Sequence, residues 1–218
     1  MPTHHPDDSL LLEYAAGSLG EAKALLVATH LALCPACRNA VRSGEAAGAA
    51  LAFANETPET VSSPMPDVSG EVVEAPPAPS AVPAGLALPQ PLRGYLGSPV
   101  AALPWSSVGL GLREYRLPEF KSTTAVRLLA IPAGRRMPRH THEGEELTLV
   151  LQGSFSDVTG DYQRGDVATA DGRIEHQPQA GSGEECLCLA VEDAPLRLTG
   201  VTGAVLTAAV RARTLFGR

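Results

Sequence analysis

Long apolar runs and clusters of basic residues are both lacking in this chain of 218 residues, and cysteine occurs only four times. No apolar stretch approaches the ~20 residues that a membrane helix needs, and the first residues lack the features of a signal peptide. Without a basic stripe, direct binding to nucleic acid is not expected either. We therefore expect a cytoplasmic protein without a membrane partner, in which paired cysteines are metal ligands or redox groups rather than disulfides.

The charges divide the chain into three parts. Residues 1–54 carry three basic and five acidic side chains, residues 55–90 carry none and five, and residues 91–218 carry fourteen of each. The middle part also has eight prolines and no aromatic residue. Such a composition cannot bury a core, so residues 55–90 are interpreted as an acidic, proline-rich linker between two domains.

Residues 1–54 have the pattern of a small all-α domain. A short helix is expected to end at Gly17, and Ser18 and Glu21 have the spacing of a capping box for a second helix. The sequence Cys-Pro-Ala-Cys at 34–37 then ends that helix and begins an alanine-rich third one that continues to Phe53.

The donor residues of this first part are suited to a structural zinc ion. His30 lies one helical turn before Cys34, Cys37 follows across a tight turn, and His5, or His4 beside it, supplies the fourth ligand. A c-type haem would require a histidine where Arg38 stands, and a thioredoxin-like dithiol would require a βαβ unit that is missing. An accidental spacing of ordinary core residues is the remaining alternative.

From about Leu92 onward, short alternating segments separated by Gly, Asp and Pro turns predict an all-β sandwich or barrel. The last segment, 204–215, has the composition of either a helix or a strand.

A second set of donors lies in this β part, at His140, His142, Glu146 and His176. Because side chains alternate along a strand, the first three are expected on one face, where a barrel interior can collect them around an ion. Together with Gly134 and Gly153 the spacing resembles the first cupin motif, and Gly165, Gly172 and His176 resemble the second. The usual proline before Gly172 is absent and Ala180 stands in place of an asparagine, so a metal-free cupin is an alternative.

Two more cysteines, Cys186 and Cys188, alternate with leucines on a predicted strand, so both thiols point to the same side. Small buried thiols that fill a core are the default interpretation. A redox or metal-linked role is the alternative.

The order of a His-x3-Cys-x2-Cys helical domain, an acidic linker and a cupin resembles the ChrR class of zinc-binding anti-sigma factors. The resemblance implies an α + β multidomain protein with Zn2+ in residues 1–54 and Zn2+ or another divalent transition metal in the cupin of residues 91–218. It further implies that residues 1–54 inhibit an extracytoplasmic-function sigma factor. The cupin is then expected to sense oxidative stress, by singlet oxygen or organic hydroperoxide, and to trigger release. The class usually has a further helix after the CxxC helix, for which residues 55–90 show no periodic apolar pattern.

Two other functions are compatible with the same residues. Three histidines and a glutamate in a cupin also occur in metal-dependent enzymes of the dioxygenase or isomerase type, for which residues 1–54 would be a docking module. A metal-dependent scaffold for another partner is the third interpretation.

Overall fold

The computed structural model of the protein describes residues 1–54, 88–120 and 124–200. Residues 55–87 of the expected linker and the segment 204–215 lie outside the described residues, as does any further helix that residues 55–87 contain. The division of the chain at residues 54 and 90 stays a prediction.

Four α-helices come first in the described chain, and the first three match the expected helical part. They are α1 (Asp8–Ala15), α2 (Glu21–Leu33), α3 (Pro35–Phe53) and α4 (Gln90–Leu96).

The start of α2 does not use the expected capping box, whereas the junction of α2 and α3 is set by Cys34 of the candidate zinc site. Gly20 is the N-cap of α2 without a side-chain hydrogen bond, and the Ser18 hydroxyl instead donates to the Glu13 carbonyl at 3.2 Å. Cys34 ends α2 and caps α3, where its sulfur accepts from the Cys37 amide at 3.5 Å. The turn that joins the two cysteines is therefore a helix N-terminus.

Helix α4 was not predicted from the sequence, which was interpreted as β from Leu92 onward. It begins with a proline in its first turn and ends at Gly97 in the left-handed conformation, with φ of 60°. Proline at the start and glycine at the end are the usual helix punctuation, so this signal was available. The helix packs on α2 and fully buries Leu92.

The remainder of the described chain is built of antiparallel strands and confirms the predicted all-β cupin. The strands are β1 (Ser106–Gly109), β2 (Leu112–Arg116), β3 (Ala125–Ile131), β4 (His140–His142), β5 (Glu146–Gln152), β6 (Ser154–Ser156), β7 (Asp161–Gln163), β8 (Val167–Ala170), β9 (Gln179–Ala180), β10 (Cys186–Glu192) and β11 (Leu196–Leu198).

In the part of the chain that the structure describes, three sheets form the barrel, with strand orders β1-β2-β3-β10-β5-β8, β7-β6-β9 and β11-β4. Strands β4 and β5 belong to different sheets, and residues 143–145 connect them. Strand alternation therefore places only His140 and His142 together, and the connection between the strands, rather than parity along one strand, brings in Glu146.

The hydrophobic core is shared between the helices and the barrel. Leu187, Leu189 and Val191 of β10 belong to one buried cluster with Leu26 of α2 and Leu92 of α4. The intervening Cys186, Cys188 and Ala190 belong to a second cluster inside the barrel. Both faces of β10 are thus buried, and α2 packs against the outside of the barrel.

A buried arginine joins three strands near the second set of donors. The guanidinium of Arg127 on β3 pairs with Glu192 on β10 and, at 3.5 Å, with Glu114 on β2. Although burial acts to lower the pKa of Arg127, the carboxylates of Glu192, Glu146 and Glu114 outweigh burial and raise it. Arg127 is thus a permanent positive charge that compensates the acidic groups around it.

We expect Arg127→Met to destabilise the protein by about 3–5 kcal/mol, because it leaves Glu192 buried without a counter-charge. Arg127→Met combined with Glu192→Leu should recover most of that loss, since both charges are then gone. Urea unfolding followed by the fluorescence of Trp105, the single tryptophan, measures this.

Arg116→Met is the matched control, because the Arg116 side chain is 61% exposed and its pairing with Glu114 is a surface interaction. Equal losses for Arg127→Met and Arg116→Met would contradict the proposed role of Arg127.

Candidate metal centres

The first predicted ligand set comes together where the N-terminal segment meets the turn between α2 and α3. One donor atom from each of His5, His30, Cys34 and Cys37 lies within 4.8 Å of the others. The Nδ1 atom of His5 is 3.5 Å from the sulfur of Cys34 and 3.4 Å from that of Cys37. His4, the alternative to His5, instead packs its ring on Tyr162 at 4.6 Å between centroids.

The hydrogen bonding of His30 fits a metal ligand. Its Nδ1–H donates to the carbonyl of Gly165 at 2.8 Å, which leaves Nε2 without a proton. That Nε2 is buried and has no hydrogen-bond partner among the described residues. A bare, buried acceptor beside two thiols is costly unless a cation binds it, so the four residues fit zinc.

Burial also affects the pKa of a thiol in this cluster, that of Cys37. Removal from water raises the pKa of Cys37 to about 12 in the metal-free state. The thiolate is the form that binds zinc, so a metal ion has to displace the proton.

The second ligand set assembles inside the barrel, where His140, His142, Glu146 and His176 are all buried and also lie within 4.8 Å of one another. The Nε2 atom of His142 is 3.0 Å from Nε2 of His176 and 3.0 Å from a carboxylate oxygen of Glu146. Two ring nitrogens at this distance repel each other unless a proton or a cation lies between them. The donor set fits Zn2+ or another divalent transition metal.

Two of these histidines are held by hydrogen bonds that leave Nε2 free to bind the ion. The Nδ1–H of His140 donates to the Pro138 carbonyl at 2.8 Å, and that of His176 donates to the Asp157 carboxylate at 2.6 Å. Burial lowers the pKa of His140 to about 4 and also lowers the pKa of His142. Neutral imidazoles are the form that coordinates a metal.

Asp157 was not among the residues predicted from the sequence. Its carboxylate makes the carboxylate–histidine contact that commonly orients a metal ligand. The hydrogen bond to His176 lowers the pKa of Asp157 although burial acts to raise it. No spacing signal points to Asp157, because it lies 19 residues from its partner on a different part of the barrel.

A cavity beside His140, Glu146 and His176 is lined by apolar side chains, among them Leu129, Ile131 and Phe155, and by polar and charged ones that include Arg127. Cys188 also lines it, and its sulfur is 3.5 Å from that of Cys186. Both thiols are buried on the same side of β10, as the sequence alternation predicts. The hydrogen bond with Cys186 and burial raise the pKa of Cys188, so this thiol stays protonated.

The fold and the two ligand sets together define a cupin protein with an N-terminal helical unit that carries a His/Cys set able to hold a metal ion. Residues 97–196 match the family model described as the ChrR cupin-like domain. The chain is 42% identical to the anti-sigma-E factor ChrR of Cereibacter sphaeroides over 199 residues, which is 89% of this chain and 91% of that protein. The chain therefore belongs to the ChrR family of anti-sigma factors.

A solved structure of a ChrR protein gives the same relationship. The structure of Rhodobacter sphaeroides SigE in complex with the anti-sigma ChrR matches with a TM-score of 0.72 and 38% identity, covering 88% of this chain and 100% of that one. An RmlC-like cupin of Ralstonia eutropha JMP134 matches with a TM-score of 0.42 and 18% identity, covering 55% of this chain and 87% of that one. Membership of the ChrR family makes the chain a non-enzymatic regulator, in place of the alternative cupin enzyme. In the described ranges, no helix is both long and apolar enough to cross a membrane.

We expect Asp157→Ala to weaken zinc binding at the cupin cluster by about 10–100-fold, because His176 loses the group that orients its ring. Bound zinc per chain, measured across buffers of defined free zinc, reports the loss. Asp161→Ala, an exposed position in the same hairpin, is the control. If both variants bind zinc like the unchanged protein, Asp157 does not orient a metal ligand.

Proposed function

We propose that this protein inhibits an extracytoplasmic-function sigma factor and that its cupin releases the sigma factor under oxidative stress. In this proposal residues 1–54 hold the sigma factor, residues 55–90 are a linker, and residues 91–218 receive the signal. The observation that carries it is the 38% identity, over 88% of this chain, with ChrR in its complex with SigE. Such a regulator acts in the cytoplasm, where sigma factors meet RNA polymerase.

Exposed apolar residues on the helical part support a protein partner there. Leu12 on α1 is 61% exposed, and Leu51 and Phe53 near the end of α3 are 74% and 66% exposed. Large apolar side chains at such exposure favour a surface that another protein covers. Their placement on α1 and α3 leaves α2 free to pack against the barrel.

The zinc ligands have a structural role in this proposal. Among the described residues, the buried cluster between the three N-terminal helices has six members, and two of them are Cys34 and Cys37. A core this small needs additional stabilisation, which a bound metal ion supplies to the folded state alone. Zinc at His5, His30, Cys34 and Cys37 would hold α1, α2 and α3 in the arrangement that presents Leu12 and Phe53.

The cupin cluster is the proposed sensor. A cavity lies beside its ligands, where singlet oxygen or an organic hydroperoxide would meet the bound metal, and Cys188 borders the same cavity. A metal ion bound there would supply a site that responds to the oxidant, either directly or through the neighbouring thiols. The residues around it position the four ligands and keep water away.

The inhibitor role is tested by co-expressing the chain with an extracytoplasmic-function sigma factor of the same genome, followed by gel filtration and metal analysis. We expect the unchanged protein to form a one-to-one complex that carries zinc. We expect no complex with Cys37→Ser, because the helical unit loses a zinc ligand. Cys188→Ser, the same change inside the barrel, should leave the complex intact. Normal inhibition by Cys37→Ser would contradict the structural role of zinc.

The sensor role is tested by treating the complex with singlet oxygen or an organic hydroperoxide. We expect His140→Ala and His176→Ala to abolish release of the sigma factor, since each removes a cupin ligand. Arg136→Ala, an exposed change on the barrel, should release it normally. Oxidant-driven release that survives in both histidine variants would show that the cupin cluster is not the sensor.

A further inference from the structure

The first residues of the chain lie on the barrel although they carry a ligand of the helical cluster. The backbone amides of Thr3 and His4 donate to one carboxylate oxygen of Asp166 at 2.6 and 3.0 Å. The amide of Val167, at the start of β8, donates to the carbonyl of His4 at 3.1 Å. His5 therefore reaches Cys34 and Cys37 from a segment that is fastened to the cupin.

The same turn of the barrel holds His30. Gly165, whose carbonyl accepts from the His30 ring, has a φ of 96°, and a Cβ there would lie 2.7 Å from Pro2. Only glycine fits this position without displacing the N-terminal segment. Residues 165–167 thus position both histidines of the helical cluster.

A chain of contacts leads from this segment to the cupin ligands through the hairpin of β6 and β7. The ring of His4 packs on Tyr162, which also stacks on Phe155 at 4.8 Å. The Tyr162 hydroxyl is 2.9 Å from the Thr159 hydroxyl. The Thr159 hydroxyl in turn donates its single proton to the Asp157 carboxylate at 2.5 Å, so the Tyr162 hydroxyl is the donor to Thr159.

The other carboxylate oxygen of Asp157 accepts from Nδ1 of the cupin ligand His176 at 2.6 Å. Every step from His176 to His4 is therefore a hydrogen bond or a ring contact, and His4 is bonded to His5. The hairpin residues in this series of contacts belong to the cupin. The series ends at His4, next to His5, which is a ligand of the helical cluster.

A metal ion bound by the cupin ligands would fix the direction of these hydrogen bonds. Coordination through Nε2 of His176 requires the ring proton on Nδ1, where Asp157 accepts it. Without an ion, the proton can instead lie on Nε2, facing the Nε2 of His142 at 3.0 Å. The bare Nδ1 then repels the Asp157 carboxylate, which must turn, and the Thr159 hydroxyl loses the acceptor that fixes its proton, so that Tyr162 is no longer held in the role of donor to Thr159.

We propose that the β6–β7 hairpin couples the two metal centres, so that occupancy of the cupin cluster strengthens zinc binding at His5, His30, Cys34 and Cys37. Asp157, Thr159 and Tyr162 are positioning residues in this coupling. By thermodynamic linkage the effect is reciprocal, and couplings of this kind are commonly about 5–150-fold in affinity. Only the consequence, release of a bound sigma factor, rests on the proposed function.

The experiment measures zinc alone, on the full chain, in buffers of defined free zinc. A short alkylation pulse followed by mass spectrometry of Cys34 and Cys37 reports the helical cluster, and total bound zinc reports both clusters. His142→Ala removes the cupin site, and Cys37→Ser removes the helical site. In the unchanged protein the weaker of the two sites is titrated with zinc while the stronger one is already full. The same site is then titrated in the variant that lacks the stronger site. The coupling is the change in the free zinc concentration at half-saturation between the two titrations.

We expect that shift to be about fivefold or more in free zinc. It should fall to about onefold when measured in a Tyr162→Phe background, which keeps the ring contacts and removes only the hydroxyl, and in a Thr159→Val background. Tyr95→Phe is the matched control, because it also removes one tyrosine hydroxyl. That hydroxyl donates to Glu21 at 2.8 Å in a contact between α4 and α2, outside the β6–β7 hairpin. The full shift should remain there.

The proposal would be overturned if removal of one site from the otherwise unchanged protein caused no shift at the other site. It would also be overturned if the shift were just as large in the Tyr162→Phe and Thr159→Val backgrounds. Neither result depends on a sigma factor. The coupling and the inhibitor function therefore fail or succeed separately.

Discussion

A neutral histidine ring has two nitrogens and a proton on only one of them. This constraint determines which nitrogen faces the metal in both centres. His30, His140 and His176 each donate Nδ1–H to a fixed oxygen, on Gly165, Pro138 and Asp157 respectively. Each ring is thereby left with a bare Nε2 directed away from that oxygen. For His140 and His176 the oxygen belongs to the barrel that holds the ligands. For His30 it belongs to the other part of the protein, so the helical cluster is completed only when the barrel is folded beneath α2.

This dependence agrees with the packing. Helix α2 contributes Leu25 and Leu26 to a core that also contains Leu147 and Leu189 of the barrel. At the rim, Lys23 of α2 pairs with Glu145 at 2.7 Å and with Asp193 at 2.9 Å, on the two connections that flank β5 and β10. Glu145 precedes the cupin ligand Glu146. The helical unit is thus attached to the strand ends nearest the second centre, which gives a change in the barrel a direct path to the helices.

One pair in each ligand set was predictable from spacing, because local geometry places its two members together. The step from His30 to Cys34 is one helical turn, and His140 and His142 share a face of β4. The choice between His4 and His5 was not predictable, since it depends on Asp166 and Val167 more than 160 residues away. Asp157 and the shared core were missed for the same reason: their partners are set by barrel closure. Helix α4 was missed because its seven residues are too few to show a period, although its proline and glycine marked both ends.

The two centres differ in how easily a ligand can leave. All four cupin ligands are buried, whereas His5 is exposed and lies in a terminal segment. That segment is held to the barrel by Asp166, Val167 and Tyr162. In the proposed coupling, a rearrangement of the hairpin would displace His5 while His30, Cys34 and Cys37 stay in place on α2 and α3. Loss of that ligand would weaken zinc binding without unfolding the barrel, which is the property that a reversible inhibitor requires.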